Sequence, residues 1–177
     1  MKTMREETAA GRVLVSDGAW GSFLVAKGMQ PGECPELWCV EHADDVRAIA
    51  AVYAEAGADI VMTNSFGGTR FKLSHFGLDG RVAELNRAAA RLSRGAAGPA
   101  RPVMASMGPT GNLLMMGDVT EEELYDAFRA QAVALEEGGA DAVTVETMSA
   151  VDEAGIAVRA VRENTGLEVV ADRKSGV

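Results

Sequence analysis

The sequence has few aromatic residues, few cysteines and no excess of positive charge. Phe, Trp and Tyr make up 5% of its 177 residues, and the formal net charge at pH 7 is −9 with a pI near 4.7. Because nucleic-acid backbones and anionic lipid surfaces repel acidic chains, we expect neither as a partner. Cys34 and Cys39 are too few for a disulfide framework. No apolar run approaches the roughly 20 residues of a membrane span, and the charged amino-terminal segment lacks the apolar stretch of a secretory signal. These absences favour a cytoplasmic location.

The composition is that of a globular protein. Hydrophobic residues make up 47% of the chain and charged residues 24%, which argues against disorder. A chain of 177 residues can bury one sizeable core but is short for two. We therefore expect a single domain over residues 1–177.

Short apolar runs alternate with stretches of helical periodicity. The runs predict strands over 13–16, 59–62, 102–106, 141–145 and 167–171. The periodicity predicts helices over 43–56 and 80–95, a helix that begins with the capping box at Thr120, and a helix after 150 that is capped by Ser149. The similar segments 55–64 and 137–146 each predict a helix that ends at a glycine, Gly57 or Gly139, and is followed by a strand.

This order, in which strands and helices alternate, predicts an α/β fold with a parallel sheet. Right-handed crossovers build it into either a doubly wound sheet or part of a (β/α)8 barrel. A complete barrel typically takes about 250 residues. The chain supplies about four βα units plus a fifth strand, so a barrel made from it is truncated.

Polar residues follow the predicted strands at their carboxyl ends. Asp17 and Gly18 end the first strand, Asn64 and Ser65 follow the second, and Glu146 ends the fourth. In parallel α/β folds chemistry gathers at this end of the strands. Two carboxylates there can hold a ligand ammonium while loop N–H groups bind its carboxylate, which predicts a pocket for an amino acid. Each of these residues alone is equally well explained as a helix cap or turn former.

The strand-end motifs together resemble a known family. The matching stretches are 17–21 (DGAWG), 35–38 (PELW), 56–66 (AGADIVMTNSF), 108–111 (GPTG) and 145–147 (VET). This ordered set resembles the homocysteine S-methyltransferase family, the homocysteine-binding domain of methionine synthases and betaine–homocysteine methyltransferases. The resemblance implies a (β/α)8 TIM barrel that binds homocysteine and a methyl donor, and that transfers a methyl group to the homocysteine thiolate to give methionine.

The resemblance also implies roles for individual residues. Asp17 corresponds to the family's acid near the substrate amino group, and Glu146 to the second acid that holds the ammonium. Gly18 and Ala19 correspond to the loop whose N–H groups approach the substrate carboxylate. Asn64 and Ser65 lie in the matched loop after the second strand, where we expect them to line the pocket.

Family members bind zinc through three cysteine thiolates, which lie in segments later than any in this chain. Cys34 and Cys39 match none of them. We therefore expect zinc for the full-length family member, no metal ligand and no catalytic residue in this chain, and no activity from the chain alone. The resemblance leaves the methyl donor open between betaine, S-methylmethionine and a methylated corrinoid.

Two other interpretations stay open. A non-catalytic partial barrel could bind an amino acid or a partner chain, or self-associate, through its open edges. A different barrel enzyme, a lyase or an aldolase, needs a Schiff-base lysine at a strand end. Lys27, Lys72 and Lys174 are poorly placed for that chemistry.

Overall fold

The structure is a computed structural model that describes residues 3–112 and 114–173. Its strands are β1 (Val61–Met62), β2 (Val103–Met107), β3 (Ala142–Met148) and β4 (Glu168–Arg173). Its α-helices are α1 (Met4–Ala9), α2 (Gly21–Ala26), α3 (Trp38–Glu41), α4 (Ala43–Glu55), α5 (Arg70–Ser74), α6 (Val82–Ala97), α7 (Glu121–Glu137) and α8 (Val151–Asn164). Short 3-10 helices span Pro35–Leu37, Asp79–Arg81 and Leu114–Met116. No helix among the described residues is long and apolar enough to cross a bilayer.

The four strands form one parallel sheet in the order β1-β2-β3-β4. Helices connect each strand to the next, α5 and α6 after β1, α7 after β2 and α8 after β3. Met104 pairs with Ala142, and Ala142 pairs with Glu168, so these strands begin at the same end of the sheet. The predicted α/β fold with a parallel sheet is confirmed, and the last four predicted strands are present.

The sheet buries both of its faces, but to different depths. Val103 and Ala105 of β2 point into the large core that the sheet shares with α4, α6, α7 and α8. Phe128 of α7 is completely buried in that core, a burial worth roughly 2–3 kcal/mol. Met104 faces the other way because side chains alternate along a strand, and it belongs with Met4 of α1 to a smaller cluster. Helix α1 was not predicted from the sequence. It lies at the end of the sheet where the strands begin.

Helices α4 and α7 each end next to the predicted glycine. Gly57 and Gly139 lie two residues beyond the last helical residue of each and have φ angles of 96° and 98°. Because side chains with a Cβ rarely adopt this left-handed conformation, glycine is favoured at both positions.

One predicted helix cap is confirmed and one is wrong. Thr120 Oγ1 accepts the N–H of Glu123, and the Glu123 carboxylate accepts the N–H of Thr120, which completes the capping box of α7. Ser149 does not cap α8, because the residue before its first turn is Ala150, which forms no side-chain cap. The carboxylate of Asp152 in the first turn accepts a helical N–H instead.

The predicted strand over 13–16 does not form a ladder. It runs parallel to the start of β1 but makes a single bridge, between Ser16 and Ile60. The Asp59 carboxylate accepts the Val15 N–H at 2.9 Å, and this hydrogen bond holds the pKa of Asp59 below its ordinary value. Val15 is 58% exposed. The segment therefore borders the sheet without extending it.

Candidate active-site cavity

A cavity of about 410 Å³ opens at the carboxyl ends of the strands. Its volume lies within the range of about 300–1,000 Å³ that is typical of small-molecule sites. It is lined by Ser16, Asp17, Gly18, Ala19, Trp20, Met62, Thr63, Phe66, Met104, Ser106, Thr144, Glu146 and Asp172. The acidic side chains on this wall come from three separate segments, so the fold brings together carboxylates that are far apart in sequence.

Asp17 is anchored through one of its two carboxylate oxygens. Oδ2 accepts the N–H of Met62 at 2.8 Å and the indole N–H of Trp20 at 3.3 Å. Oδ1 is buried and has no hydrogen-bond partner among the described residues. Burial raises the pKa of Asp17 from 3.8 to about 6, the two hydrogen bonds oppose the rise, and the charge of Glu146 adds to it. The carboxyl group therefore loses its proton near pH 6 and is mostly ionised at pH 7.

The loop after Asp17 is held by a tyrosine of α4. Tyr53 donates its hydroxyl hydrogen bond to the carbonyl of Ala19 at 2.8 Å. A Cβ at Gly18 would lie 3.2 Å from the Tyr53 oxygen, so glycine lets the loop approach the ring closely. Among the described residues neither Gly18 nor Ala19 donates its backbone N–H in a hydrogen bond. Both N–H groups are therefore available to a ligand.

Glu146 is oriented by the strand that carries it and by a neighbouring hydroxyl. Ser106 donates to Glu146 Oε1 at 2.6 Å. Thr147 has a φ of 61°, and the pairing of β3 with β4 shifts register between Val145 and Met148. Bulges of this kind redirect side chains next to functional sites. This one occurs where the strand passes from the sheet to the cavity wall.

The structure brings Asp17, Gly18, Ala19 and Glu146 to the same cavity but not the side chains of Asn64 and Ser65. The Asn64 amide donates to the carbonyl of Pro35 at 2.7 Å, which joins the loop after β1 to the Pro35–Leu37 turn. The Ser65 hydroxyl donates to the carbonyl of Ser106 at 2.7 Å. Both side chains are buried and neither lines the cavity. The prediction that Asn64 and Ser65 line the pocket is therefore not met by this structure.

Sequence reasoning missed several residues of the wall. Asp172 lies directly after the predicted fifth strand, so the rule that selected Glu146 also applies to it. Ser106 ends the predicted third strand and could have been selected in the same way. No such rule would have selected Phe66. Its ring fits against the cavity only because residue 108 is a glycine, where a Cβ would lie 2.5 Å from the ring.

A family model for homocysteine S-methyltransferase matches residues 14–173. The chain belongs to the homocysteine S-methyltransferase family. The match includes every residue that lines the cavity, so the family assignment and the geometry concern the same part of the molecule.

Curated relatives and solved structures of this family resemble the chain over most of its length. The methionine synthase of Mycobacterium leprae (strain TN) is 33% identical over 153 residues, which is 80% of this chain and 13% of that protein. The methionine synthase of Mycobacterium tuberculosis (strain ATCC 25618 / H37Rv) is 32% identical over 148 residues, or 77% of this chain and 12% of that protein. The chain therefore spans about an eighth of these relatives.

Two solved structures of the Escherichia coli homocysteine methyltransferase MmuM share the fold. The oxidized form has a TM-score of 0.76 and 25% sequence identity. The superposition covers 90% of this chain and 61% of the MmuM chain. The metallated form has a TM-score of 0.76 and 23% identity, and it covers 92% of this chain and 63% of its own. The parallel sheet is thus part of a TIM-barrel fold, and the chain spans less than two thirds of these homocysteine methyltransferases.

The residues described do not fit the zinc site of the homocysteine S-methyltransferase family. No group of three or more His, Cys, Asp or Glu within 3–112 and 114–173 could hold a metal ion. Cys34 and Cys39 are buried and do not line the cavity. Burial raises the pKa of the Cys34 thiol to about 11 and that of the Cys39 thiol further still, so both thiols stay protonated at neutral pH.

Lysines that a Schiff-base enzyme would need are absent from the described part of the cavity wall. Lys27 pairs with Asp45 at 3.0 Å, on the surface next to α4. Lys72 lies in α5, and Lys174 lies outside the described residues. The family assignment leaves no support for a lyase or aldolase here.

Proposed function

We propose that this chain binds homocysteine by its amino-acid end and belongs to a homocysteine S-methyltransferase that makes methionine. The observation that carries the proposal is the convergence of Asp17 and Glu146 on one cavity at the carboxyl ends of the strands. Burial raises the pKa of Asp17 and the charge of Glu146 adds to the rise, so the two carboxylates repel each other. A ligand ammonium between them relieves that repulsion.

The remaining contacts of the ligand follow from the same arrangement. Its carboxylate accepts hydrogen bonds from the free N–H groups of Gly18 and Ala19, which Tyr53 holds in place. Its side chain extends along the apolar part of the wall towards Phe66 and Met62. These residues bind and orient the substrate. Activation of the thiol belongs to the zinc site of the complete family member, which the described residues do not fit.

Binding to the isolated chain tests the proposal directly. We expect homocysteine to bind, as measured by isothermal titration calorimetry under reducing conditions at pH 7.5. Asp17→Asn and Glu146→Gln each remove a charged acceptor and should weaken binding by about tenfold to a hundredfold. The matched control is Glu55→Gln, which removes one charge from an exposed position of α4 and should leave the affinity within twofold.

An analogue separates recognition of the ammonium from recognition of the rest of the ligand. 4-Mercaptobutanoic acid keeps the thiol and the carboxyl group and lacks the amino group. We expect wild-type protein to bind it at least tenfold more weakly than homocysteine, and Glu146→Gln to reduce that preference. Equal affinity of the wild-type chain for the two compounds, or no binding of homocysteine, would contradict the proposal.

We further propose that the chain alone does not turn over homocysteine, because its described residues hold no group of ligands for a metal that could bind the substrate thiolate. Incubation with homocysteine and S-methylmethionine should give no methionine above the uncatalysed background. Turnover with stoichiometric bound metal would overturn this part of the proposal.

A second candidate function is association through the open edges of the sheet. β4 borders the sheet on one side, where Val170 is 45% exposed, and the 13–16 segment borders it on the other. Unpaired strand edges favour pairing with another chain. Sedimentation velocity should detect dimers that Val170→Lys dissociates, and a folded monomer at all concentrations would count against this candidate.

A further inference from the structure

Two buried hydroxyls, those of Thr63 and Ser65, bind the peptide groups of Ser106 next to the cavity. The Ser106 N–H donates to Thr63 Oγ1 at 3.2 Å, and the Ser65 hydroxyl donates to the Ser106 carbonyl at 2.7 Å. The hydroxyl oxygens of Thr63 and Ser65 lie 2.5 Å apart. All three residues are buried. We call these three residues the hydroxyl ring.

The direction of each hydrogen bond in the hydroxyl ring follows from counting protons. A hydroxyl carries one proton, and a carbonyl oxygen can only accept. Ser65 therefore uses its proton on the Ser106 carbonyl, so the proton between the two loop hydroxyls belongs to Thr63. The ring then closes in one direction only, from the Ser106 N–H through Thr63 and Ser65 back to the Ser106 carbonyl.

The ring uses only the peptide groups of Ser106, so its side-chain hydroxyl can form a hydrogen bond at the cavity wall. It lies 2.6 Å from Glu146 Oε1, and an ionised carboxylate can only accept, so Ser106 is the donor. With Oε1 engaged, the other oxygen of Glu146 remains for a ligand. Thr147, the residue after Glu146, has a φ of 61°, a left-handed conformation that is rare for a β-branched residue.

We propose that the hydroxyl ring is a positioning device for Glu146, in which Thr63 and Ser65 fix the Ser106 peptide and Ser106 aims Glu146 at the ligand ammonium. This inference rests on the proposed function and deepens it. It gives Ser65 an indirect role in recognition, although its side chain does not reach the cavity wall. Thr63 and Ser65 can continue this chain of hydrogen bonds because a hydroxyl both accepts and donates.

A double-mutant cycle on homocysteine affinity tests the device. Ser106→Ala should weaken binding by about tenfold in the wild-type background, because it removes a hydrogen bond to a charged group. In the Glu146→Gln background the same substitution should cost less than twofold, because the residue through which Ser106 acts is already impaired. Ser106→Thr keeps a hydroxyl and should restore most of the affinity. Equal losses in both backgrounds, or no rescue by Ser106→Thr, would overturn the inference.

A matched control removes the same kind of hydrogen bond outside the cavity. The Thr110 hydroxyl donates to the buried carboxylate of Glu153 at 2.7 Å, and neither residue lines the cavity. We expect Thr110→Ala to lower the unfolding midpoint in urea while homocysteine affinity stays within twofold. A loss of affinity in Thr110→Ala as large as that in Ser106→Ala would show that general destabilisation explains the result, and the inference would fail.

A ligand-free measurement distinguishes failure of this inference from failure of the proposed function. Crystal structures of the wild-type, Ser106→Ala and Ser106→Thr proteins should show the Glu146 carboxylate displaced only in Ser106→Ala. If the carboxylate keeps its position in Ser106→Ala, the positioning role is wrong whatever the protein binds. If it is displaced and homocysteine fails to bind the wild-type protein, the hydroxyl ring still positions Glu146 and the proposed ligand is wrong.

Discussion

Replacement of Asp17 by asparagine should stabilise the fold at neutral pH while weakening ligand binding. The Asp17 carboxyl has a raised pKa in the folded state, chiefly because it is buried at the cavity wall. The folded state therefore binds this proton more tightly than the unfolded state does. By linkage, Asp17 lowers the stability of the folded state as the pH rises from about 4 to about 6, and the loss persists above that window.

The size of the effect follows from the shift. A rise of the Asp17 pKa from 3.8 to about 6 corresponds to about 3 kcal/mol. Because the side chain is only partly buried, solvent screening reduces this figure to roughly 1–2 kcal/mol. The asparagine side chain retains an oxygen that can accept the Met62 N–H, so the substitution preserves the hydrogen bond that anchors the loop.

Urea unfolding followed by far-ultraviolet circular dichroism measures the effect. We expect the stability of Asp17→Asn relative to wild type to grow from near zero at about pH 3 to about 1–2 kcal/mol at pH 7. Glu55→Gln provides the control for the loss of one acidic charge at an exposed position. A difference for Asp17→Asn that is flat with pH, or that grows in the opposite direction, would refute the reasoning that burial of Asp17 dominates its titration.

Further predictions concern the ligand and the packing around the cavity. Homocysteine affinity should increase between pH 5 and 7 as Asp17 ionises, by at most about tenfold, as measured by calorimetry. Gly68→Ala should lower the free energy of unfolding by about 1–3 kcal/mol in urea, because the new Cβ would overlap the Asn86 side-chain oxygen. Glu153→Ala should lower the unfolding free energy by about 2–3 kcal/mol, since the N–H and hydroxyl of Thr110 would lose their buried acceptor.

Both predictions about stability have a matched comparison. Gly80→Ala adds a methyl group where no atom lies within 4 Å and should change the unfolding free energy by less than about 0.5 kcal/mol. Glu153→Gln keeps an acceptor oxygen and should cost less than Glu153→Ala. An affinity for homocysteine that is constant from pH 5 to 7, or equal stabilities within either pair of variants, would contradict the corresponding argument.

The elements of the sheet could be predicted from sequence because they depend on local patterns. The apolar runs over 102–106 and 141–145 carry their own signal, and Thr120 indicates the start of α7 through its spacing to Glu123. The segment over 13–16 carries the same apolar signal but does not form a ladder. Whether such a run pairs along its length depends on what lies beside and above it, which sequence patterns do not specify.

The site could be predicted only in part, for a related reason. Asp17 and Glu146 follow from the rule that chemistry gathers at strand ends, and the same rule applied to Asp172 would have added a third carboxylate. The direction of a side chain in a loop follows no such rule. Asn64 and Ser65 turn away from the cavity because Pro35 and Ser106, which are distant in sequence, offer them carbonyl acceptors.

The contact between α1 and the start of β4 joins the two ends of the described chain. The Glu168 carboxylate accepts the backbone N–H groups of Met4 and Arg5, which lie more than 160 residues away in sequence. Closing a loop of this length costs entropy that the ordered chain between its ends must offset, so we expect this contact to form late in folding. The outermost strand and the first helix should consequently exchange their amide hydrogens as one cooperative unit, and a change at either end will be felt at the other.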